Sequence, residues 1–248
     1  MACSRLGVIE LVGYREWTET LGHDREWRIQ HTQARLYASL QDAAKDLGAY
    51  IVPLRMDYMV FLAENVEGLE ELTRVLEEES PTPYRIVVAK ARSPREAERA
   101  STLELGRTRL GELRSLELCR GEEFSTIAHI DINDITRTMG RDGVTVYTSY
   151  VHVVSLYNRL QERLLGEEAI VSYLGGDNII AILPPGGEKI VESIVDSSLK
   201  AGVGVSRTPR EALALATLAL DTIRREGRKQ GRVMVIRDRG LIEPVRGA

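Results

Sequence analysis

The sequence repeats itself, and this constrains the fold more than any other feature. Ser93-Pro94-Arg95-Glu96-Ala97 returns as Thr208-Pro209-Arg210-Glu211-Ala212, 115 residues further on (208 − 93), and Thr102-Leu103 returns in the same register as Thr217-Leu218. The apolar stretch Ile51 to Leu62 around Asp57 matches Val171 to Ile182 around Asp177, 120 residues on (177 − 57). Val8-Ile9-Glu10-Leu11 resembles His129-Ile130-Asp131-Ile132, with an acid in third place each time. Three matched segments in one order imply gene duplication, and 248 residues supply two halves of ordinary domain size.

Each half reads as strand, long helix, two strands, helix, strand, helix. In the second half, Ile127 to Ile132 is rich in β-branched residues and predicts a strand. Val146 to Leu165 carries apolar residues at a helical period and stops at Gly166. Ile170 to Leu174 and Ile179 to Leu183 predict two strands joined by the hairpin turn Gly175-Gly176-Asp177-Asn178. A helix over Glu188 to Leu199 and a strand over Gly202 to Val205 follow, then a helix opened by a Thr208 hydroxyl cap and Pro209. The first half follows this plan, with Arg28 to Leu47 as its long helix and Gly48 to Ala63 as its hairpin. The expected fold class is α+β: two tandem ferredoxin-like, palm-type βαββαβ halves, as in nucleotidyl cyclases. The halves are set at 1–105 and 124–248, with 106–123 a connector that reads equally as helix or loop.

Composition narrows the chemistry by exclusion. At 43% hydrophobic and 28% charged the chain is of globular type. With net charge −4 and no basic stripe, nucleic acid is not expected as a partner. No apolar run reaches membrane-spanning length, and the first residues lack the pattern of a signal peptide, so no membrane and a cytoplasmic address are expected. Cys3 and Cys119 belong to no CxxC pair and are expected to be reduced, Cys119 simply filling space. The four histidines form no HxxH or HExxH pair, so a metal would have oxygen ligands.

In a palm fold the first strand lies beside the hairpin turn, which brings Asp131 towards Asp177. Two acids with no soft ligand suit magnesium, which keeps other positions for water and phosphate. The Ile132 carbonyl is a third candidate ligand. Gly175 and Gly176 lack side chains, so phosphate can approach their backbone. Taken alone, Gly-Gly-Asp-Asn is an ordinary hairpin turn and a strand-end aspartate an ordinary cap; their conjunction points to metal and phosphate chemistry. His129 is assigned a packing role, on the strand face opposite Asp131.

Three segments carry a resemblance to a known family. They are Arg25-Glu26 leading into Gln33-Ala34-Arg35-Leu36-Tyr37, Ala128 to Thr136 containing His-Ile-Asp-Ile-Asn-Asp, and Leu174-Gly175-Gly176-Asp177-Asn178. With them the chain resembles the archaeal GTP cyclohydrolase III family over most of its length. The last two segments look more distantly like the metal strand and turn of diguanylate and class III nucleotidyl cyclases. The resemblance implies that GTP loses pyrophosphate and has its imidazole ring opened with the formyl group retained. The product would be 2-amino-5-formylamino-6-ribosylamino-4(3H)-pyrimidinone 5'-monophosphate, a precursor of flavins and deazaflavins. It further implies magnesium held by Asp131, Ile132 and Asp177, with Asp131 and Asp177 catalytic, and a homo-oligomer. Asn133, Gly175, Gly176 and Asn178 would face the nucleotide.

Val12-Gly13 and Tyr58 depart from the family pattern and put the first half's share of the site in question. Arg25, Arg55 and Asp57 are candidates there for phosphate or base contact, against surface ion pairs for the arginines and a plain turn carboxylate for Asp57. Trp17 reads as a packing aromatic ahead of a base-stacking one. The rival functions are a nucleotidyl cyclase-like enzyme and a catalytically silent GTP-binding regulator.

Overall fold

A computed structural model describes residues 2–133, 135–141, 143–226 and 232–238. Asp134, part of the motif quoted above, lies outside them. The chain forms two compact units, Met1–Glu123 and Phe124–Ala248.

The first unit runs β1 (Ala2–Leu11), α1 (Tyr14–Thr20), α2 (Glu26–Asp46), β2 (Tyr50–Val52), β3 (Tyr58–Leu62), α3 (Glu70–Glu79), β4 (Tyr84–Ala91), α4 (Pro94–Leu105), β5 (Leu113–Glu117) and β6 (Glu122–Glu123). Its strands lie in the order β2-β3-β1-β4-β5, with β6 beside β1. The second unit runs β7 (Ser125–Ile132), α5 (Ile135–Thr138), α6 (Val146–Leu165), β8 (Ile170–Gly175), β9 (Asn178–Leu183), α7 (Glu188–Ile194), β10 (Leu199–Ser206), α8 (Pro209–Arg225) and β11 (Arg232–Arg237). Its order is β8-β9-β7-β10-β11, the first unit's order repeated place for place. Each sheet is therefore a βαββαβ core, with a further strand running parallel to β4 or β10.

Strand alternation sorts the side chains. In the second unit Ala128, Ile130 and Ile132 of β7 share a core with Val153, Leu156, Leu160 and Leu164 of α6 and with Val191 of α7. Those four α6 positions recur every three or four residues, and burying each contributes about 1.5–3 kcal/mol. Thr145 caps the helix, accepting from the Thr148 N–H at 3.2 Å. The other sheet face receives α8, and glycines let it come close: a Cβ on Gly202 would lie 2.0 Å from the Ala216 carbonyl oxygen, and one on Gly204 1.9 Å from that of Ala212. That face holds Asp131.

Several expectations need correction. Residues 106–123 are not a separate connector: β5 and β6 hydrogen-bond into the first sheet, so that unit ends at Glu123. Helix α7 stops at Ile194 rather than Leu199, because Leu199 already pairs with Ile132 in the sheet. Thr208 occupies the N-cap of α8 without a side-chain hydrogen bond, whereas Ser93 accepts from the Glu96 N–H at 3.0 Å. Cys3 and Cys119 form a disulfide, with Cα atoms 6.1 Å apart, within the usual span of such a bond. Pairing of β6 with β1 and of β5 with β4 closes the 116-residue separation that hid it. Among the described residues no helix is long and apolar enough to cross a membrane.

Candidate active site

Asp131 sits on the penultimate residue of β7 and is only 3% exposed. A buried carboxylate is costly unless paired, and register supplies the partner: Lys200 lies directly across on β10, its Nζ 2.7 Å from Oδ2. Arg224, in the last turn of α8, donates from Nη2 to the same oxygen at 2.9 Å. Burial works most strongly against the Arg224 charge, but the hydrogen bonds and charges of Asp131 and Asp221 together outweigh it and raise the guanidinium above its ordinary pKa. The other oxygen, Oδ1, has no hydrogen-bond partner among the described residues. Lys200 also donates to Asn133 Oδ1 at 3.2 Å, and the Asn133 amide donates to the Ser197 carbonyl at 3.0 Å. Asn133 therefore braces the strand end.

The hairpin turn stands next to it. Gly175 (φ 102°) and Gly176 (φ 62°) both adopt left-handed conformations that disfavour a side chain, and a bulge between Tyr173 and Gly175 skews the turn. Tyr173 ties it down, donating from its hydroxyl to the Gly176 carbonyl at 3.0 Å. Asn178 is occupied within the turn, its Nδ2 on the Gly175 carbonyl at 3.3 Å and its Oδ1 3.0 Å from His129 Nε2. His129 is two residues from Asp131, and a period of two puts both on one face. Its Nδ1 lies 3.4 Å from Thr217 of α8, so the opposite-face assignment is corrected while a packing role stands.

The last rung between β7 and β9 is Ile130↔Ile179. Continuing that register sets Asp131 across from Asn178 and Ile132 across from Asp177. Asn133 sends its N–H to the Ser198 carbonyl on the β10 side at 2.9 Å. Along an antiparallel strand the backbone alternates sides, so the Ile132 carbonyl points towards the hairpin. Asp131 approaches the strand end from the α8 face, and Asp177, half-buried beside Tyr150 and Tyr173, from the α6 face. Carboxylate and carbonyl oxygens are the donor types that magnesium takes. Among the described residues no group of three or more His, Cys, Asp or Glu gathers around a common point.

The same place in the first unit is furnished differently. Glu10 takes the position of Asp131 and has both oxygens engaged: Tyr58 donates to Oε1 at 2.8 Å and Arg85 approaches Oε2 at 3.2 Å. Asp57 is held bidentately by Arg55, at 2.9 and 2.6 Å. That hydrogen bonding, against the effect of burial, lowers the Asp57 pKa below the ordinary carboxylate value. Arg25 precedes α2 and among the described residues reaches only Glu26, at 3.7 Å, and the Thr18 carbonyl, at 3.5 Å. Trp17 packs on Tyr14 with ring centroids 5.2 Å apart. Sequence reading missed Lys200 and Arg224; the basic residues at 85 and 200, facing the two acids across equivalent strands, were the available signal.

The fold defines a duplicated palm-type α+β protein, whose second unit carries a nearly buried aspartate at the end of its central strand. The family model for GTP cyclohydrolase III matches residues 6–238. The chain therefore belongs to the GTP cyclohydrolase III family. It is 39% identical to the GTP cyclohydrolase III of Aeropyrum pernix over 227 residues, covering 89% of this chain and 92% of that one. It is 33% identical over 234 residues to that of Pyrobaculum islandicum, covering 90% and 96%. Among solved structures it is similar to the active GGEEF domain of a diguanylate cyclase from Vibrio cholerae, at TM-score 0.40 and 16% identity, over 46% of this chain and 84% of that one. It is also similar to a guanylyl cyclase domain from Blastocladiella emersonii, at TM-score 0.38 and 9% identity, over 73% and 94%.

Proposed function

We propose that the protein hydrolyses GTP, opening the imidazole ring with retention of the formyl group and releasing pyrophosphate, at a magnesium site in the second unit. The observation that carries the reading is the strand register, which continued past Ile130↔Ile179 sets Asp177 across from Ile132, the neighbour of Asp131, beside a turn with no side chains at 175 and 176. When bound, magnesium supplies charge neutralisation for the departing pyrophosphate and activation of water. The chain's own residues do the rest. Lys200 and Arg224 fix Asp131 through Oδ2 and leave Oδ1 for the ligand. Gly175 and Gly176 admit phosphate oxygens to the backbone. Asn133 and Asn178 hold the strand end and the turn rather than the nucleotide, because their amides already bond within the protein.

The test is incubation with GTP and magnesium followed by mass analysis of the products. The expected result is pyrophosphate and a monophosphate heavier than GMP by one water, with the guanine absorbance altered and activity lost to a chelator. A cyclic nucleotide with an intact guanine chromophore would place the protein among the cyclases. Unchanged GTP would make it a silent binder.

A further inference from the structure

The duplication supplies an internal control for the acid at the end of the central strand. In the first unit Tyr58 lies directly across from Glu10, and residues facing each other on antiparallel strands put their side chains on one face, close enough to bond. Tyr58 accordingly donates to Glu10 Oε1 at 2.8 Å. In the repeat these positions are held by Asn178 and Asp131, again opposite each other when the register is continued from Ile130↔Ile179. An amide is as able to donate as a phenol. Yet the hydrogen bonds to Asp131 come from Lys200 and Arg224, both on Oδ2, and Asn178 bonds elsewhere.

The difference lies two residues back along the strand. His129, diagonal to Asn178 across the strand pair, meets its Oδ1 with Nε2 at 3.0 Å, while Asn178 Nδ2 donates to the Gly175 carbonyl at 3.3 Å. An amide whose nitrogen serves a carbonyl presents its oxygen to the ring, so the imidazole proton sits on Nε2 and His129 is the donor. The ring is fixed at its other end, Nδ1 standing 3.4 Å from the Thr217 hydroxyl oxygen on α8. Both ends of the Asn178 amide are thereby engaged away from Asp131. The first unit has no such device. Val8 takes the place of His129 and has no donor, and Thr102 takes the place of Thr217 but gives its hydroxyl to Glu98 at 3.0 Å. Filling the strand position does not require a histidine, since Val8 does so at 2% exposure. Where the strand has valine, the cross-strand donor bonds the acid; where it has histidine, that donor is turned aside and the acid keeps an oxygen.

We propose that His129 is a positioning residue: by holding the Asn178 amide against the turn, it keeps Oδ1 of Asp131 open to a divalent cation. The assignment rests on the magnesium reading above and deepens it, because it names what separates Asp131 from its satisfied counterpart in the first unit. An amide donating to Oδ1 competes with the cation for the same lone pairs.

The full-length protein tests this without nucleotide or turnover. Magnesium is titrated calorimetrically into wild type, His129→Val, His129→Gln, Asn178→Ala and the double variant, and metal-free His129→Val is crystallised. His129→Val, which restores the first unit's residue, is expected to weaken magnesium roughly tenfold, the scale of one competing hydrogen bond to a charged group. His129→Gln, whose amide can donate to the same Asn178 oxygen, should bind nearly as wild type does. In the Asn178→Ala background the valine exchange should cost nothing further, because the competing amide is gone. The crystal structure of His129→Val should show Asn178 Nδ2 within hydrogen-bond distance of Asp131 Oδ1. Equal magnesium affinity in wild type and His129→Val would overturn the proposal. So would an equal loss in His129→Gln, a loss that persists undiminished in the Asn178→Ala background, or an Asn178 side chain that stays in place in the variant crystal. If wild type binds no magnesium and Asn178 nonetheless moves onto Asp131 in His129→Val, the magnesium reading fails and the positioning role stands.

Discussion

In the first unit the turn between β2 and β3 is closed by its own side chains, Arg55 clasping Asp57 from two residues away; in the second unit the corresponding turn is two left-handed glycines followed by Asp177. The neighbouring acids differ in the same sense. Glu10 spends both oxygens on Tyr58 and Arg85, whereas Asp131 spends one oxygen on Lys200 and Arg224 and keeps the other. A carboxylate facing a cation across the central strand pair is thus common to both units and does not by itself make a metal site. What differs is whether any acid oxygen remains unpaired and whether backbone at the turn is bare. Duplication has left one frame in which both oxygens of the central-strand acid are engaged and one in which Asp131 keeps an oxygen without a hydrogen-bond partner among the described residues.

The widest predicted gap between the units is catalytic. Asp177→Ala should abolish magnesium-dependent turnover, a fall on the order of a hundredfold or more, while Asp57→Ala should leave turnover within severalfold of wild type. Asp131 is better tested as Asp131→Asn. Alanine there strands the nearly buried Lys200 without its partner, and an uncompensated charge destabilises the fold as well as the site. Comparable loss of turnover in Asp57→Ala and Asp177→Ala, measured with steady-state GTP conversion, would break the comparison.

The second contrast is in stability. Only the first unit carries a disulfide among the described residues, and it closes a loop of sequence separation 116. Closing a loop of that length is worth up to about 4–5 kcal/mol in the chain-entropy account, and commonly less. Cys119→Ser should therefore lower the denaturation midpoint of the first unit by several degrees. Hydrogen exchange of β1 and β4 amides should report the change, with β7 and β10 unaffected. A uniform loss of protection across both sheets would show that the units do not open separately.

Much of this contrast is legible in the sequence, for a physical reason: hairpins, capped helices and glycine turns are specified locally, so the 115- and 120-residue offsets carried the βαββαβ order, and α6 begins and ends where its period predicts. What stayed hidden depends on contacts distant along the chain. Strand β5 reads Leu-Arg-Ser-Leu-Glu, mostly polar and exposed, and its pairing with β4 cannot be inferred from its own pattern. The Cys3–Cys119 pair follows from that pairing. Lys200 and Arg224 became visible only when register and the length of α8 brought them to Asp131. The hydrogen bonds from Asn133 to the Ser197 carbonyl and between Asn178 and His129 are likewise tertiary and leave no local trace.

The smallest predicted effect tests the clasp that closes the first turn. The hydrogen bonds from Arg55 lower the folded-state pKa of Asp57, against the opposing effect of burial. A depressed carboxylate stabilises the fold fully above its unfolded pKa, and that contribution is lost as pH falls through the folded value. Arg55→Ala should raise the Asp57 pKa towards the ordinary carboxylate range, read from the side-chain carboxyl carbon in an NMR titration. The stability cost at neutral pH should be a few tenths of a kcal/mol, because the Arg55 side chain is 68% exposed and water screens the pair. That cost should shrink as the solution is acidified below the ordinary carboxylate range. Asp177 follows Gly175-Gly176 where Asp57 follows Arg55-Met56, so the second turn has no side chain in the place of Arg55. If the Asp57 titration fails to move, Arg55 is not what satisfies the first turn, and the difference between the two turns reduces to the glycines alone.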